Sequence, residues 1–467
     1  MVNALAKYQK YAEYKDSGVE WLGKIPSHWA SKPLKYLCTY NDDVLSETTS
    51  KDSEIQYVDI GSVSAVDGIS HIETMVFKDA PSRARRVVKD GDVIVSTVRT
   101  YLEAIAPIDN PPENLIVSTG FAVIRPNNEL YKGFASYCLR AKGFIKEVVA
   151  RSVGVSYPAI NSSELVNIVI PSLDFKEQTQ IANFLDHETA KIDSLIEKQQ
   201  MLIELLKEKR QAVISHAVTK GLNPDVPMKD SGVEWLGQVP EHWNVSKLKN
   251  IIQSLESGCS VNAADVPAQT HELGVLKTSC VYTRSFRIEE NKTVVPEDIH
   301  RVKCRVRKGA IIISRMNTPE LVGASALVKV EADNIYLPDR LWQTIFFKNV
   351  EIDAEYLSHF MTIQGFRDQI ALGAEGASSS MQNIAKEDYL NINCLVPPLV
   401  EQIAVRDFIE DRLMKLDRLN IKAQEAIERL KERRTALISS AVTGKIDVRS
   451  WQNPNHNNNE AQMELSQ

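Results

Sequence analysis

The chain has 467 residues, of which 43% are hydrophobic and 25% charged, and its formal net charge is −6 at pH 7. This composition is typical of globular proteins, and the length suggests about three domains. No apolar run approaches the roughly 18 residues that cross a bilayer, and the first seven residues lack the apolar core of a signal peptide. Six scattered cysteines without a C-x-x-C pair argue against a zinc site or disulfide framework and favour a cytoplasmic protein. Since the net charge is negative, any nucleic-acid contact requires a local basic patch.

One motif occurs twice along the chain. Lys-Asp-Ser-Gly-Val-Glu-Trp-Leu-Gly stands at residues 15–23 and again at 229–237, and Ile/Val-Pro-x-His-Trp follows each copy, ending at Trp29 and Trp243. An exact repeat separated by more than 200 residues predicts two copies of one module. We interpret the motif as a connector, with Trp21 and Trp235 packed at equivalent places.

The modules repeat the same order of predicted elements. β-branched runs between turn residues predict strands, and a helical spacing of apolar residues predicts one helix before the last strand. In the first module the predicted strands are 57–60, 93–98, 121–124 and 165–170, and the predicted helix is 134–149. In the second module the matching segments are 276–279, 311–314, 394–397 and the helix 356–372.

A long amphipathic helix is predicted after each module. The first begins near Asp174 and Glu177, which have capping-box spacing, and continues without Pro or Gly to Thr219. About 40 residues at 1.5 Å each would reach about 60 Å. Apolar residues at seven-residue spacing indicate a coiled-coil-like seam; its members are Ile181, Leu185, Ile192, Leu195, Leu202, Leu206 and Val213, then Val405, Ile409, Leu416, Leu419, Ala423, Ala426, Leu430 and Leu437.

These patterns predict an α+β protein. We expect two modules of mixed strands and helices, each followed by a long coiled-coil-like helix. The predicted boundaries are 1–175 for the first domain, 176–222 for the first helix, 223–398 for the second domain, 399–446 for the second helix and 447–467 for a disordered polar tail.

A search for catalytic motifs identifies one candidate. Asp109-Asn-Pro-Pro-Glu113 is similar to the N-P-P-aromatic motif of adenine methyltransferases, but Glu113 occupies the position of the base-stacking aromatic residue. No glycine-rich cofactor loop precedes it, so a proline turn is favoured. The sequence also lacks a P-loop, a histidine set with metal-ligand spacing and a convincing nuclease carboxylate set. We therefore predict no catalytic and no metal-binding residues.

Basic residues alternate with apolar ones at one place in each module. In an extended chain alternate residues share a face, about 6.6 Å apart, which resembles the spacing of phosphates along a DNA strand. A solvated strand face explains the same pattern, and both interpretations remain open. The candidate phosphate contacts are Arg83, Arg85 and Lys89 in the first module and Arg301, Lys303, Arg305 and Arg307 in the second.

Two loops in each module carry residue types that read bases. One follows a predicted strand, and the other precedes the last strand, at residues 152–157 and 376–382. The candidates are Arg99, Thr100, Tyr101 and Tyr157 in the first module, and Arg315, Met316, Asn317, Ser380 and Gln382 in the second.

With these residues the chain resembles the specificity subunit of type I restriction–modification systems. The resemblance rests on the repeated motif, on Pro171 and Pro397 leading into Glu177-Gln178 and Glu401-Gln402, and on Leu-Lys-Glu-Lys/Arg-Arg followed by Ala-Val-Thr at the end of each long helix. It covers nearly the whole chain except the tail. A departure is the linker 174–176, where the second copy has Val400 alone.

The resemblance implies a non-catalytic protein that recognises double-stranded DNA. Each module would be a target-recognition domain of mixed α/β fold that reads half of a bipartite site, with the two domains in a pseudo-two-fold arrangement. The two long coiled-coil-like helices would separate these domains, pack antiparallel and fix the unread spacer. Two modification subunits, with S-adenosylmethionine, would dock on the helices; restriction subunits would add ATP- and Mg-dependent translocation and cleavage. No cofactor and no membrane are expected for this chain itself.

Two other functions remain as alternatives. The chain could be a methyltransferase that uses Asn110-Pro-Pro112, in which case it would bind S-adenosylmethionine by itself. It could also be a scaffold whose modules bind protein, in which case neutralising the basic residues 301–307 would leave DNA retention unaltered.

Overall fold

The computed structural model describes residues 8–46, 48–66, 68–378 and 381–454. They form two compact units: one contains the residues up to Gln200 and those from Gln424, and the other is Met201–Ala423. Each unit holds one globular module and part of both long helices, whereas the sequence predicted helices separate from the modules. None of the helices in the described ranges has an apolar stretch long enough to cross a bilayer.

The first unit contains fourteen strands and three short helices before the first long helix. The strands are β1 (Tyr14–Asp16), β2 (Lys24–Pro26), β3 (Ala30–Pro33), β4 (Cys38–Tyr40), β5 (Glu54–Val58), β6 (Val63–Ser64), β7 (Gly68–Ile69), β8 (Glu73–Val76), β9 (Ala84–Val87), β10 (Val93–Ser96), β11 (Ile105–Pro107), β12 (Leu115–Ser118), β13 (Phe121–Pro126) and β14 (Val169–Ser172). The helices are α1 (Lys132–Leu139), α2 (Lys142–Ala150) and α3 (Ser162–Leu165), followed by α4 (Phe175–Lys220).

The second unit repeats this order. Its strands are β15 (Met228–Asp230), β16 (Gln238–Pro240), β17 (Asn244–Lys247), β18 (Ile252–Glu256), β19 (Ala263–Ala264), β20 (Gly274–Leu276), β21 (Asn291–Val294), β22 (Ile311–Ser314), β23 (Met316–Asn317), β24 (Ser325–Leu327), β25 (Ile335–Tyr336), β26 (Leu341–Phe346), β27 (Ala374–Ser378), β28 (Met381–Ile384) and β29 (Asn393–Val396). Its helices are α5 (Ala354–Phe360), α6 (Gln364–Gly373), α7 (Lys386–Asn391) and α8 (Leu399–Val442).

The two units share the strand order of their antiparallel sheet, whereas their mixed sheets differ in strand order. An antiparallel sheet has the order β11-β10-β13-β4 in the first and β24-β22-β26-β18 in the second. A mixed sheet with one parallel pair, β5 with β12 or β20 with β25, lies beside it. The central strands β10 and β22 are apolar and buried along their whole length, as expected for strands covered on both faces. The expectation of two similar α/β modules is therefore confirmed.

Several predicted segments differ in detail. The predicted strand 276–279 is wrong beyond its first residue, because β20 ends at Leu276 and a 3-10 helix spans Thr278–Val281. The predicted helix 134–149 is two helices, α1 and α2, and its match 356–372 is likewise α5 and α6. Residues 165–168 do not extend the last strand, because Leu165 ends α3 and the strand β14 begins at Val169. The apolar run was compatible with strand or helix, and the Asn161 backbone carbonyl, which accepts from Leu165 N–H at 2.9 Å, makes it helical there.

The repeated motif forms the same turn in both copies. Asp16 Oδ1 accepts a hydrogen bond from the Gly18 backbone N–H at 2.9 Å, and Ser17 Oγ accepts from Val19 N–H at 3.1 Å. The second copy makes the same two bonds at 2.9 and 3.1 Å. Gly18 has φ = +71°, a left-handed conformation that glycine adopts without steric cost. The identity of the two copies therefore reflects one turn geometry.

The motif tryptophans pack at equivalent places, as predicted. Trp21 covers Gly143 at the start of α2 and donates to the Val169 carbonyl at 3.0 Å. Trp235 covers Gly365 at the start of α6, where an added Cβ would lie 2.5 Å from its ring. Both indoles are half-buried. Each motif is thus fixed to its own module through a glycine that leaves room for the ring.

The His-Trp pair of the motif and the Glu-Gln pair of the long helix occur in both copies. In the first unit these two pairs meet in space. Glu177, on the first turn of α4, accepts hydrogen bonds from Tyr11 Oη at 2.7 Å and Trp29 Nε1 at 3.1 Å, and pairs with His28 Nε2 at 2.9 Å. Burial and this hydrogen bond to Glu177 raise the pKa of Tyr11. Glu401 has the same role in the second unit, with Trp243 Nε1 at 2.9 Å. The motif therefore holds the start of a long helix.

The predicted capping box forms only in part. Asp174 Oδ2 accepts from the Lys176 N–H at 2.9 Å, which satisfies one free donor of the helix start. The Glu177 carboxylate does not bind the backbone N–H of Asp174 as a capping box requires. It accepts hydrogen bonds instead from Trp29 of the motif and from Tyr11, which precedes the motif. The spacing indicated a helix start correctly but assigned the wrong partner to the glutamate.

The glutamine after each glutamate joins the helix to its module. Gln178 Oε1 accepts from the Tyr131 N–H at 2.8 Å, while its Nε2 donates to the carbonyls of Glu129 and Leu173 at 2.8 and 2.9 Å. Gln402 makes three bonds of the same kind, at 2.8 to 3.1 Å. Both side-chain amides are buried, so these protein hydrogen bonds take the place of those that the amides make with water in the unfolded chain.

Within each unit the parts of α4 and α8 run antiparallel. In the first unit Gln180 donates to the Val448 carbonyl, whereas Asp193, further along α4, pairs with Arg434 at 3.0 Å. In the second unit Arg210 pairs with Asp417 at 2.5 Å, and Gly221 after α4 contacts Trp243, which is bonded to the start of α8.

The predicted seam is buried only in part. Ile181, Leu185 and Ile192 lie in the first core, and Ala423 is buried on α8, whereas Leu195, Leu202 and Leu419 are 44%, 38% and 48% exposed. The seam prediction is wrong for these three residues. Seven-residue spacing cannot distinguish a residue packed on a domain from one left on an open helix face.

The chain after α8 packs on the first unit. Gly444 and Val448 follow the helix end, and the Trp451 ring contacts Phe184 edge-on at 5.6 Å. The predicted tail 447–467 therefore begins with residues that contact the core. Its residues from 455 onward lie outside the described ranges.

A polar cleft of about 360 Å³ lies between α5 and the long helices of the second unit. Lys329 pairs there with Glu355 and, at 2.7 Å, with Glu410. Burial and the hydrogen bond to Glu410 raise the pKa of Glu355. His359 lines the same cleft, and its Nε2 atom has no hydrogen-bond partner within the described part of the chain.

His359 is expected to make stability fall at mildly acidic pH. Burial, and then the nearby Lys329 and Arg210 charges, lower its pKa from 6.5 to about 4, although Glu410 and Asp353 oppose this. Between these values the unfolded chain binds a proton that the folded chain does not, so stability is lost as pH falls from 6.5 towards 4. The loss should reach roughly 3 kcal/mol at most. Thermal unfolding of His359→Gln and the wild type across this range measures it; parallel curves would contradict it.

Candidate nucleic-acid interface

The two candidate loops of the first unit meet in space. Val98, after β10, forms an isolated β-bridge with Ala159, and Thr100 N–H donates to the Pro158 carbonyl at 3.4 Å. Thr100 Oγ1 also donates to Ser152 Oγ at 2.7 Å. We call residues 97–102 with 152–159 the first loop pair. Sequence reasoning found both loops but could not tell that they touch.

The first loop pair exposes aromatic and apolar side chains. Tyr101 and Tyr157 are 54% and 66% exposed, and Val155 is fully exposed. The Arg99 guanidinium lies over the Tyr157 ring, 5.0 Å from its centre, and Arg99 has φ = +50°. Such exposed apolar groups beside an arginine suit contact with bases and phosphates. Thr100 is different: it is buried and its hydroxyl is engaged, so it positions the loop.

The candidate loops of the second unit form a small sheet. β23 pairs with β28, with Asn317 opposite Gln382, and β27 pairs with the other edge of β28. We call residues 315–318 with 374–384 the second loop pair. Met316 and Gln382 are half-buried, and Ser380 lies outside the described residues. The loops that were matched by sequence are therefore adjacent in both units.

Two candidate residues of the second loop pair are held by their surroundings. Asn317 Nδ2 donates to Tyr282 Oη at 2.7 Å, and its Oδ1 accepts from the Thr318 N–H at 2.9 Å. Arg315 is half-buried, and its Nε has no hydrogen-bond partner among the described residues. Asn317 is thus pre-positioned by its bonds, while the Arg315 Nε–H group still needs an acceptor.

The basic stretch of the second unit is not a strand, contrary to the prediction. Arg301 ends a short 3-10 helix and pairs with Asp298 at 3.0 Å. The hydrogen bond from the Asn262 N–H, and then the one from Arg301, lower the pKa of Asp298. Cys304 has φ = +61°, so the chain turns in the middle of the expected strand. Lys303 is nevertheless exposed.

The other two arginines of this stretch are exposed but paired. Arg305 lies 3.1 Å from Asp333, and Arg307 lies 3.0 Å from Glu256. Exposed pairs of this kind are worth little, so a phosphate could replace the carboxylate. The face is basic, but it is not a regular row of positive charges.

The three candidate residues of the matching stretch in the first unit have different surroundings. Arg83 is exposed before β9, Arg85 lies 5.1 Å over the Phe77 ring, and Lys89 pairs with Asp43 at 2.7 Å. Hydrogen bonds from Lys89 and then Arg125 lower the pKa of Asp43. These candidates do not form one continuous edge.

Sequence reasoning missed the neighbouring Arg86. It is half-buried on the opposite face of β9, and its Nε has no hydrogen-bond partner in the ranges that the structure describes. Burial lowers its pKa. The alternating pattern excluded it, because the search assumed that only one strand face carries charge.

The structure has no arrangement for methyl transfer at the candidate motif. Asn110 has φ = +44°, and its N–H donates to Asp90 Oδ1 at 3.0 Å. Residues 109–114 form an exposed proline turn, as predicted. Across the described residues, no cluster of three His, Cys, Asp or Glu side chains has the geometry to hold a metal ion.

Comparisons with known proteins agree with the resemblance. Residues 26–205 match the profile of the type I restriction modification DNA specificity domain. The EcoKI specificity subunit of Escherichia coli K12 is 23% identical over 93% of this chain and 92% of its own length. The EcoEI specificity subunit of Escherichia coli is 24% identical over 55% of this chain, and the match spans 43% of that subunit.

A solved structure has the same fold. It is described as the structural basis of complex assembly and conformational transition of the type I R-M system. It has a TM-score of 0.70 with 20% sequence identity, and the match covers 90% of this chain and 99% of the other. With a match to the specificity domain over residues 26–205, relatives along its length and a shared fold, the chain is similar to the specificity subunits of type I restriction–modification systems.

Proposed function

We propose that the chain reads a bipartite DNA sequence through the two loop pairs, one half-site for each module. The observation that carries this proposal is one scaffold with two different surfaces. Both units bring the same two loops together, yet one exposes Arg99, Tyr101 and Tyr157, whereas the other presents a half-buried Gln382 opposite Asn317. A protein that reads two unlike half-sites requires this combination of common framework and divergent contacts.

The proposed recognition domains are residues 1–175 and 223–398, and the helices 176–222 and 399–446 set the spacer. Exposed Arg83, Lys303 and the paired arginines 305 and 307 would bind phosphates, which position the protein without reading sequence. The chain itself would supply recognition and no catalytic group.

The long helices also suit docking of partner subunits. Met201, Leu205, Met414 and Ile421 of the second unit are 54–65% exposed on helices whose other faces are charged. Contiguous exposed apolar side chains favour protein contacts. We propose that two modification subunits bind along these helices and carry S-adenosylmethionine, and that restriction subunits supply ATP- and Mg-dependent steps. The assembled complex would act in the cytoplasm.

Domain exchange tests this proposal. Residues 30–171 are replaced by the equivalent domain of another specificity subunit, and methylated adenines are mapped in cells that express the chimera with its modification subunits. One half of the methylated sequence should change, while the other half and the spacer stay the same.

The matched control exchanges residues 244–397, which follow Trp243 as residue 30 follows Trp29. This chimera should change the other half only. If either exchange alters both halves, or neither, the assignment of one half-site to each module is incorrect.

A further inference from the structure

Two arginines of the second unit enclose an open cavity of about 410 Å³. Arg284 follows the short 3-10 helix Thr278–Val281, and Arg367 lies on α6. The remaining lining is mixed: it includes Gln211 on α4, Thr362 before α6 and the carboxylates of Glu320 and Asp368. Two positive charges side by side are unfavourable unless an anion lies between them.

Both guanidiniums have donors to spare. Nη1 of Arg284 and Nη1 of Arg367 are buried and have no hydrogen-bond partner among the described residues. Burial lowers the pKa of both side chains, and the Arg284 charge lowers that of Arg367 further, to about 10. A buried donor without an acceptor is destabilising, and more so when it is charged. Both arginine side chains also line the open cavity, so a negatively charged acceptor that enters it would compensate their charge.

The backbone holds both arginines in place. Arg284 has φ = +61°, a conformation that a non-glycine residue adopts at a cost when its surroundings require it. Arg367 Nη2 donates to the Glu320 carbonyl at 3.1 Å, which fixes one edge of the guanidinium and leaves Nη1 directed elsewhere. Pre-positioned guanidinium groups match the oxygens of a phosphate.

The first unit lacks this arrangement at the equivalent place. Gly143 and Gly365 occupy matching positions under the motif tryptophans, so Ile145, two residues on, corresponds to Arg367. Ile145 is buried in the core. The second module has thus acquired a charge where the first has an aliphatic side chain.

A second difference makes room for that charge. Ser96 and Ser314 bond the equivalent carbonyls of Ala104 and Ala324, so Glu103 corresponds to Gly323. Both have a left-handed backbone, with φ = +51° and +66°. A Cβ on Gly323 would lie 2.6 Å from Ile370 Cδ1 and 3.0 Å from Arg367 Nη1. The glycine leaves room for Ile370 and for the guanidinium, whereas the first unit has Glu103 at this corner.

The cavity adjoins the second loop pair. Pro319 and Glu320, which line it, directly follow β23 and its candidate reader Asn317. The hydroxyl that holds Asn317 belongs to Tyr282, two residues before Arg284. Phosphate contacts commonly lie beside base contacts, where they fix the register of the protein on DNA.

We propose that Arg284 and Arg367 bind a backbone phosphate of the DNA, in the second module only. This proposal rests on the proposed function, since it assigns a phosphate to the half-site read by the second loop pair. The carboxylates of Glu320 and Asp368 also line the cavity. Their charge favours a singly charged phosphodiester over a free phosphate dianion.

The test measures DNA binding by the full chain assembled with its modification subunits. Arg367→Ile introduces the residue of the first module, and Arg284→Asn retains a residue type that tolerates the left-handed backbone. Binding to the mapped recognition duplex and to a scrambled duplex is followed by fluorescence anisotropy across a salt series. Lys348→Ala, which removes an exposed charge after β26 that does not line the cavity, is the matched control.

Each arginine variant should lower the slope of log K against log salt by about 0.9. Affinity for both duplexes should fall roughly tenfold, and their ratio should stay constant because phosphates carry no sequence information. Lys348→Ala should leave the slope unchanged. Two arginine variants are made so that the test still works if one of them misfolds. The thermal midpoint of each variant shows whether it is folded.

Two results would overturn the proposal. One is an unchanged salt slope in both folded arginine variants. The other combines two observations: the salt slope is unchanged, and inorganic phosphate at constant ionic strength stabilises the wild type but not Arg367→Ile. That combination identifies a pocket for a free anion. A wild-type complex that binds both duplexes equally instead contradicts the proposed function, so the two failures are distinguishable.

Discussion

Glu177→Ala is expected to destabilise the first unit by roughly 4 kcal/mol, because it leaves two buried donors without an acceptor. Trp29 is completely buried and Tyr11 nearly so, and both donate to this carboxylate. Neither can reach water after the substitution. Calorimetry of the full chain should show the transition of this unit shifted to lower temperature.

The second unit provides the control. The Glu401 side chain is 41% exposed and accepts from Trp243 and pairs with His242. Water can replace the lost carboxylate there in part, so Glu401→Ala should cost about 1–2 kcal/mol. Equal losses for the two alanine variants would show that the carboxylates do not act through burial of their donors.

The two carboxylates, Glu177 and Glu401, show what the sequence could and could not predict. The exact repeat predicted two equivalent modules and two long helices, because a period is visible without any contact. The role of Glu177 was not visible, since its partners Tyr11 and Trp29 are about 150 residues away or more. Local spacing predicted a capping box instead. Sequence patterns therefore predict repeated scaffolds better than they predict which side chains meet.

The candidate interface has the same division. The four loops were predicted from residue type, and the structure brings them together as two loop pairs. The basic stretch failed because an extended chain was assumed, whereas Asp298 holds Arg301 in a 3-10 helix and Cys304 turns the backbone. Arg284 and Arg367 carry no motif. Aligning the two modules, with Ile145 opposite Arg367, is the signal that could have found them.

Gly444→Ala is expected to destabilise the first unit by roughly 2–5 kcal/mol. Gly444 follows α8 with φ = +68°, and a Cβ there would overlap Pro26 Cδ and lie 3.2 Å from the Trp29 ring. The left-handed backbone costs an alanine about 1–2 kcal/mol. Overpacking against a rigid proline and a buried indole adds about 1–3 kcal/mol. Calorimetry of the full chain measures the sum.

Gly18→Ala separates the two contributions. Gly18 has φ = +71° in the same unit, but no atom lies within 4 Å of its added Cβ. Its substitution should therefore cost only the backbone term, about 1–2 kcal/mol. Gly221, at the end of α4, is an intermediate case, because its Cβ would lie 3.2 Å from the Trp243 ring edge. The expected order of destabilisation is Gly444, Gly221, Gly18. If Gly18→Ala cost as much as Gly444→Ala, the helix end would not be seated against Pro26 and Trp29.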